Sequence, residues 1–237
     1  MNRTERLFRS LLAQYGPQSW WPAETPFEVM VGAVLVQNTS WRQAERAISA
    51  LRAQGLLIAA AIHASNTDLL EDLVRPSGTY RLKAQRLKAL AGFVVDNGGV
   101  SQLEKHSTET LRCRLLSIAG VGPETADAIL LYAFERRVFV ADAYARRVLQ
   151  RTHALRLDTA PRYYERYRAQ VESCCFDSRQ LNEFHALLVE HGKRYCRASP
   201  RCEVCFAVSD CRFTDNPDSI PSASGRGHSE DRGKERG

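Results

Sequence analysis

The chain has 237 residues, 44% hydrophobic and 25% charged, with formal net charge +6 and pI about 9.0, enough for one large domain or two small lobes around a buried core. No run approaches the about 20 apolar residues of a membrane span, and the start MNRTERLF has no apolar segment behind it, so the expectation is a soluble, cytoplasmic protein with no membrane partner. The basic excess is compatible with a polyanionic partner, and Arg81-Leu82-Lys83, Arg146-Arg147 and Lys193-Arg194 are candidate phosphate contacts or solvated helix faces.

Residues 5–15 place Leu7, Leu11 and Leu12 on one face with Phe8 and Tyr15 beside them, the spacing of a short amphipathic helix that Gly16-Pro17 ends. Ser19-Trp20-Trp21-Pro22-Ala23 follows, holding two of the three tryptophans. These rings are either a core staple or an aromatic wall for a planar base. Residues 27–36, FEVMVGAVLV, are apolar nearly all round and read as a central buried helix in which Gly32 permits close approach. That helix runs into Gln37-Asn38-Thr39-Ser40-Trp41, where a ligand-facing loop fits, and Thr39 or Ser40 caps a helix over 42–51.

Further helical pieces occupy 56–64 and 68–74, with Asn66-Thr67 as the cap of the second. A turn over 75–80 leads into a basic amphipathic helix over 81–96, broken by Asn97-Gly98-Gly99. A helix over 108–118, capped by Ser107 or Thr108, precedes the turn Ile118-Ala119-Gly120-Val121-Gly122-Pro123. Two more helices are expected over 162–174 and 181–196. Strand-like alternation is scarce, so the fold class is all-α. Beyond Arg212, Pro, Ser, Gly and mixed charge predict a disordered tail over 214–237.

Three features carry chemistry. Glycines at 120 and 122 permit close backbone approach, and the N–H groups opening the next helix, near Thr125 and Ala126, suit a phosphate oxygen. A helix, a GVG turn and then Ala126, Ile129, Leu130 and Ala133 on one face make a helix-hairpin-helix, a device that holds DNA backbone without reading sequence. Asp142 stands in Val140-Ala141-Asp142-Ala143-Tyr144, where it can both cap a helix near Ala143 and stay ionised. Four of the seven cysteines, Cys196, Cys202, Cys205 and Cys211, form C-x5-C-x2-C-x5-C, a thiolate set for Zn²⁺ or an iron–sulfur cluster. With four thiolates at hand, His185 and His191 read as structural.

The hairpin 118-IAGVGPETA-126, Asp142 and the cysteine cluster resemble the endonuclease III, or HhH-GPD, superfamily of DNA glycosylases over roughly residues 5–212. Trp20-Trp21-Pro22, GAVLVQNTSW (32–41), VRPSGTYRLKAQRL (74–87) and GPETADAILLYA (122–133) resemble the 3-methyladenine DNA glycosylase III group. The resemblance implies a six-helix barrel lobe at 26–137, a second lobe from 1–25 plus 138–213, and a cleft that takes a flipped nucleotide from double-stranded DNA containing a damaged base. It implies a base pocket of Trp20, Trp21, Trp41 and Glu124. DNA contacts fall on Gln37, Asn38, Gly120, Val121, Gly122, Thr125 and Arg146, with the Gln37 loop filling the gap left by the base. The cluster implied is [4Fe–4S] on all four cysteines, although the first spacing here is five rather than the usual six and the 3-methyladenine group's known form lacks it. Arg197 and Arg201 in this loop are further candidates for phosphate.

Bifunctional members carry lysine at the Glu124 position, where the amine attacks the sugar. A carboxylate cannot, so the expectation is a monofunctional glycosylase in which Asp142 stabilises the sugar cation and positions or deprotonates water. An alkylated purine such as 3-methyladenine fits a tryptophan-lined pocket through cation–π attraction. The competing readings are a glycosylase for oxidised or deaminated pyrimidines with weak or no lyase activity, a catalytically silent damage-binding protein, and a zinc-bearing DNA-binding module. Nothing implies an oligomer, so a monomer is expected.

Overall fold

The computed structural model describes residues 1–152, 154–155, 160–211 and 213. The described chain is helical and contains no strand: α1 (Arg3–Tyr15), α2 (Pro26–Leu35), α3 (Trp41–Ala53), α4 (Ala59–Ala64), α5 (Thr67–Val74), α6 (Tyr80–Asp96), α7 (Val100–Leu103), α8 (Thr108–Leu116), α9 (Pro123–Ala133), α10 (Ala143–Arg151), α11 (Tyr164–Glu172) and α12 (Ser178–Arg194). Among the described residues no helix is long and apolar enough to cross a membrane. The tail expected to be disordered, 214–237, lies outside the described residues.

Polar side chains set the starts of these helices. Asn2 and Glu5 form a reciprocal capping box at α1, as Asp177 and Gln180 do at α12. Asn66 accepts from the N–H groups of Asp68 and Leu69, and Ser107 from that of Thr110, so Thr67 and Thr108 lie inside their helices rather than capping them. Ser40 occupies the cap of α3 without a side-chain bond. The four-residue α7 follows the Asn97-Gly98-Gly99 break and is too short to show a helical period.

Every residue from Phe27 to Leu35 is buried, which makes α2 the central helix. It packs against α3, α6 and α9. Each fully buried Val, Leu or Met there contributes roughly 1.5–3 kcal/mol before entropy is counted. Its one charge, Glu28, pairs with Arg52. At its far end Lys83 is buried, and its Nζ donates to the carbonyls of Leu35 (2.8 Å) and Ser77. This ammonium therefore satisfies a helix C-terminus and is not a phosphate contact. A second group forms where α1 and α10 pack on α12, and α12 in turn touches α9. Buried Asp127 fastens three helices: Arg112 of α8 donates to it through Nε (2.6 Å) and Nη2 (3.0 Å), and Tyr164 of α11 through its hydroxyl (2.9 Å).

Candidate active site

The hairpin between α8 and α9 is closed by the Val121 N–H donating to the Ile118 carbonyl at 3.0 Å. Gly120 sits at φ +86°, and a Cβ there would overlap Nε, Cγ and Cδ of Arg86, so glycine is required on both conformational and steric grounds. Gly122 differs. Its φ is an ordinary −92°, and nothing lies within 4 Å of where its Cβ would be, so the fold does not demand glycine and the mouth of α9 is open. The Ala126 N–H is already bonded to the Gly122 carbonyl at 2.9 Å, which corrects its expected availability to a phosphate. Pro123 has no N–H and Gly122 no side-chain cap, so Glu124 and Thr125 supply the uncapped donors of this first turn.

Gln37 turns toward the hairpin rather than outward. Its Nε2 donates to the Gly120 carbonyl (3.2 Å) and to Thr125 Oγ1 (2.9 Å), and its Oε1 accepts from Arg86. The side chains of Val121 and Thr125 are buried, so any contact they make with a ligand is through backbone. Exposed Asn38, at φ +53°, is the outward amide of this loop.

A pocket of about 930 Å³ opens beside the hairpin, lined by Trp20, Trp21, Asn38, Trp41, Glu124 and Asp142, with Tyr144, His185, Glu190 and Lys193 completing its far wall. That is the upper end of the roughly 300–1,000 Å³ of small-molecule sites, a cleft with room beyond a single planar ring. Residues more than a hundred positions apart in sequence thus meet in one place. The three indoles pack edge to face or tilted, with centroids 4.7 Å apart for Trp20–Trp41, 5.1 Å for Trp21–Trp41 and 5.4 Å for Trp20–Trp21. Trp21 lies against Gly32, whose absent Cβ would sit 2.9 Å from Cζ2. The expected close approach at Gly32 is therefore to an indole. Lys193 Nζ stands 5.9 Å from the Trp20 ring centroid.

Asp142 caps α10, its Oδ1 accepting from the Ala145 N–H at 2.7 Å. Its Oδ2 faces His185 Nε2 at 3.6 Å. Burial works to raise the Asp142 pKa, but His185, the Ala145 N–H and the charge of Arg146 together outweigh it and hold the carboxyl below its ordinary value. Glu124 is shifted the other way: partial burial at the pocket edge, with its side chain still 55% exposed, and then the Asp142 charge push its carboxyl up, against Arg146 and His185. Two carboxylates at one pocket are thereby driven apart in acidity. Arg146, expected on a phosphate, is instead buried; it donates to the Ala141 carbonyl and lies 3.9 Å from Glu124. Its neighbour Arg147 donates to the Cys196 carbonyl at 2.7 Å. His185 is buried with Nδ1 bonded to the Tyr132 hydroxyl, so it belongs to the pocket rather than to the cysteine loop. In sequence His185 reads as structural and Tyr132 draws no notice, because each sits at helical spacing on a core face.

Cys196, Cys202, Cys205 and Cys211 line one small cavity of about 20 Å³ together with Arg151 and His191. Burial raises the thiol pKa values of Cys202, Cys205 and Cys211, and neighbouring cysteines add to the shift. Arg151 Nη1 lies 3.6 Å from Cys196 Sγ. Among the described residues no three His, Cys, Asp or Glu side chains are gathered for a single metal ion. Four thiols around a shared cavity with a guanidinium at its edge are the donor chemistry of an iron–sulfur cluster. His191 bonds through Nδ1 to the Tyr15 hydroxyl (2.9 Å), and burial lowers its pKa to about 4, so it stays neutral.

Comparison with known proteins follows the same lines. A protein of Methanocaldococcus jannaschii provisionally named a DNA repair glycosylase is 44% identical over 87% of this chain and 94% of its own. An endonuclease III of Sulfolobus acidocaldarius is 28% identical over 79% of this chain and 82% of its own. Among solved structures, the 3-methyladenine DNA glycosylase of Helicobacter pylori bound to 1,N6-ethenoadenine superposes with TM-score 0.68 at 26% identity, covering 82% of this chain and 98% of that one. A non-covalent endonuclease III–DNA complex shares the fold at TM-score 0.75 and 20% identity, covering 91% and 97%. Residues 31–172 match the HhH-GPD superfamily base excision DNA repair protein family, and the chain belongs to that superfamily.

Proposed function

We propose that the protein is a monofunctional DNA glycosylase that hydrolyses the N-glycosidic bond of an alkylated purine, 3-methyladenine or a related base, flipped out of double-stranded DNA. The observation that carries this reading is that the hairpin helix presents Glu124, and no amine, to the pocket that holds Asp142. The lobe at 26–137 and the lobe from 1–25 plus 138–213 then flank the bound duplex, and one copy of the chain suffices. Gly120, Gly122 and the first-turn N–H groups of α9 take a phosphate, and Asn38 reaches toward the space vacated by the base.

The chemistry follows from charge. A purine alkylated on a ring nitrogen is cationic, so it leaves as a neutral base and takes the electron pair of the C1′–N bond with it. Asp142, ionised at neutral pH, stabilises the positive charge that develops on the sugar. A water oxygen then bonds to C1′ and its proton passes to Asp142 or to solvent. The indoles of Trp20, Trp21 and Trp41 supply cation–π attraction, up to about 2 kcal/mol when desolvated, and the Glu124 side chain at the rim favours a cationic ring whenever it is ionised. The four cysteines would hold a [4Fe–4S] cluster. Such a cluster supplies a rigid, charged anchor for the loop 196–211, beside exposed Arg197 and Arg201.

A panel of duplexes bearing 3-methyladenine, uracil, thymine glycol or an abasic site tests the proposal, with products read before and after alkali. Release of 3-methyladenine with strand breaks only after alkali is expected. Strand cleavage without alkali, trapped by borohydride, overturns the monofunctional reading, and preference for thymine glycol replaces the substrate.

A further inference from the structure

His185 Nε2 is buried, has no hydrogen-bond partner, and points at the one oxygen of Asp142 that the helix cap leaves unused, 3.6 Å away. The other ring nitrogen is engaged by the Tyr132 hydroxyl. We infer that Tyr132 and His185 form a donor chain that positions the Asp142 carboxylate: Tyr132 O–H to His185 Nδ1, then His185 Nε2–H to Asp142 Oδ2. The inference rests on Asp142 acting as proposed above. His185 touches no reacting atom and is a positioning residue.

The direction of the chain follows from its members. Tyr132 is buried, and burial followed by the charges of Asp142 and Glu183 keeps its phenol protonated far above neutral pH. A neutral imidazole has one N–H. If Nδ1 carried it, the lone pair of the buried Nε2 would face a carboxylate with no donor between them, a costly arrangement. With the proton on Nε2, the phenol donates at one side, the ring donates at the other, and only a few tenths of an ångström separate Nε2 from bonding distance. Oδ1 is already held by Ala145, so a second donor on Oδ2 fixes the carboxylate plane.

This arrangement reconciles two demands on Asp142. The carboxylate must sit in a largely dry site to act on a developing cation, yet burial alone would protonate it. Its surroundings decide the outcome. Arg146 on α10 and the His185 donor favour the anion; Glu124 on α9 opposes it. Glu183 on α12 bears on Tyr132, and Glu190 and Lys193 stand farther out on the pocket wall. Phe139 packs edge-on against the imidazole at 6.3 Å and is apolar.

Two measurements on the full chain test this. In ¹⁵N spectra the His185 ring should carry its proton on Nε2 and none on Nδ1, and Tyr132→Phe should convert it to a mixture; a proton on Nδ1 in the wild-type protein, alone or together with one on Nε2, overturns the chain. His185→Leu should move the ¹³C-detected titration of the Asp142 carboxyl to higher pH. It should also slow single-turnover base release on the order of tenfold to a hundredfold, as loss of a supporting hydrogen bond does, with affinity for abasic-site DNA unchanged. His185→Gln, which keeps an N–H near Nε2, should recover most of the rate and the original titration. If His185→Leu leaves both the titration and the rate at wild-type values, His185 has no positioning role. If Asp142→Asn also excises normally, the failure lies with the proposed catalytic role of Asp142. A His185→Leu chain that does not fold leaves the Tyr132→Phe tautomer and the His185→Gln rate as the deciding pair.

Discussion

Gln37 and Thr125, 88 residues apart in sequence, are joined by a 2.9 Å hydrogen bond from Nε2 to Oγ1, and the same amide nitrogen holds the Gly120 carbonyl. The loop between α2 and α3 is thus tethered to the hairpin. A side chain so engaged must release three bonds, the third accepted by its Oε1 from Arg86, before it can plug a gap in DNA, whereas as a tether it acts without moving. Gln37→Ala and Thr125→Val should each weaken binding to abasic-site DNA, and the double variant should lose less than their sum. A coupling of at least ~0.5 kcal/mol is expected for contacting residues. Strict additivity in binding titrations would mean that Gln37 works on DNA independently of the hairpin.

Asp142→Asn separates charge from capping. Asparagine caps a helix about as well as aspartate, so α10 should persist, and near neutral pH the melting temperature should fall only by what the Asp142 charge contributes. Base release should fall by roughly 10²–10³, the cost of ~3–4 kcal/mol of lost electrostatic stabilisation. Because the folded-state pKa of Asp142 lies below its unfolded value, its ionisation adds stability that is complete above the ordinary carboxylate range. That stability disappears as pH falls through the folded pKa. The wild-type protein should therefore lose more stability on acidification than Asp142→Asn, as read by denaturant midpoints at several acid pH values. Parallel pH curves would remove the linkage.

Most of the fold is written in local sequence signals. Asn66 and Ser107 announce helix starts through their short polar side chains, and Gly120-Val121-Gly122-Pro123 announces a turn, with Gly120 at a position few other residues fit. FEVMVGAVLV is legible as central because no face of it suits water. What stayed hidden depends on pairs far apart in sequence. Arg86 against Gly120, Trp21 against Gly32 and His185 against Asp142 each join positions on different elements, and periodicity reports only which face a residue occupies. Arg146 and Lys83 show the same limit: a basic residue reads as surface until an anion or a carbonyl is found to receive it.

The buried Asp127 ties α8, α9 and α11 through Arg112, whose side chain is 16% exposed while that of Asp127 is fully buried. Removing one partner of such a pair leaves a charge without compensation, typically at 3–5 kcal/mol. Tyr164 and, at 3.8 Å, Arg168 remain to share it. Arg112→Ala should therefore cost about 3 kcal/mol, near the lower end, in urea unfolding. A loss below about 1 kcal/mol would show that Tyr164 and Arg168 already satisfy the carboxylate. Since α9 carries both the hairpin and Glu124, base release should fall in proportion to the unfolded fraction and no further.

The cysteine loop makes a prediction about composition. Protein purified without air should be brown, absorb in the visible blue, and contain iron and acid-labile sulfide. Cys202→Ala should lose that colour and destabilise the loop 196–211, because thiols that burial holds protonated gain no ligation to offset their cost. Colourless protein loaded with zinc would reassign the site. Binding of abasic-site DNA should weaken in Cys202→Ala more than the Asp142 carboxyl titration changes, since the loop and the pocket are separate cavities.

Gly120 tests the hairpin most directly, because two distinct costs attach to it. Alanine at φ +86° is strained by roughly 1–3 kcal/mol whatever surrounds it. Its methyl group would also displace the Arg86 side chain, which donates to Gln37 and so holds the tether described above. Gly120→Ala should therefore lower the melting temperature by several degrees, at about 2–4 °C per kcal/mol for a chain of this size. It should weaken DNA binding beyond what the lost stability explains. Arg86→Ala in the same chain removes the steric part and leaves the backbone part. The double variant should be more stable than Gly120→Ala alone if overlap dominates, and less stable if the Arg86–Gln37 bond is worth more than the relief. Wild-type stability in Gly120→Ala would contradict both the turn geometry and the packing of Arg86 on it.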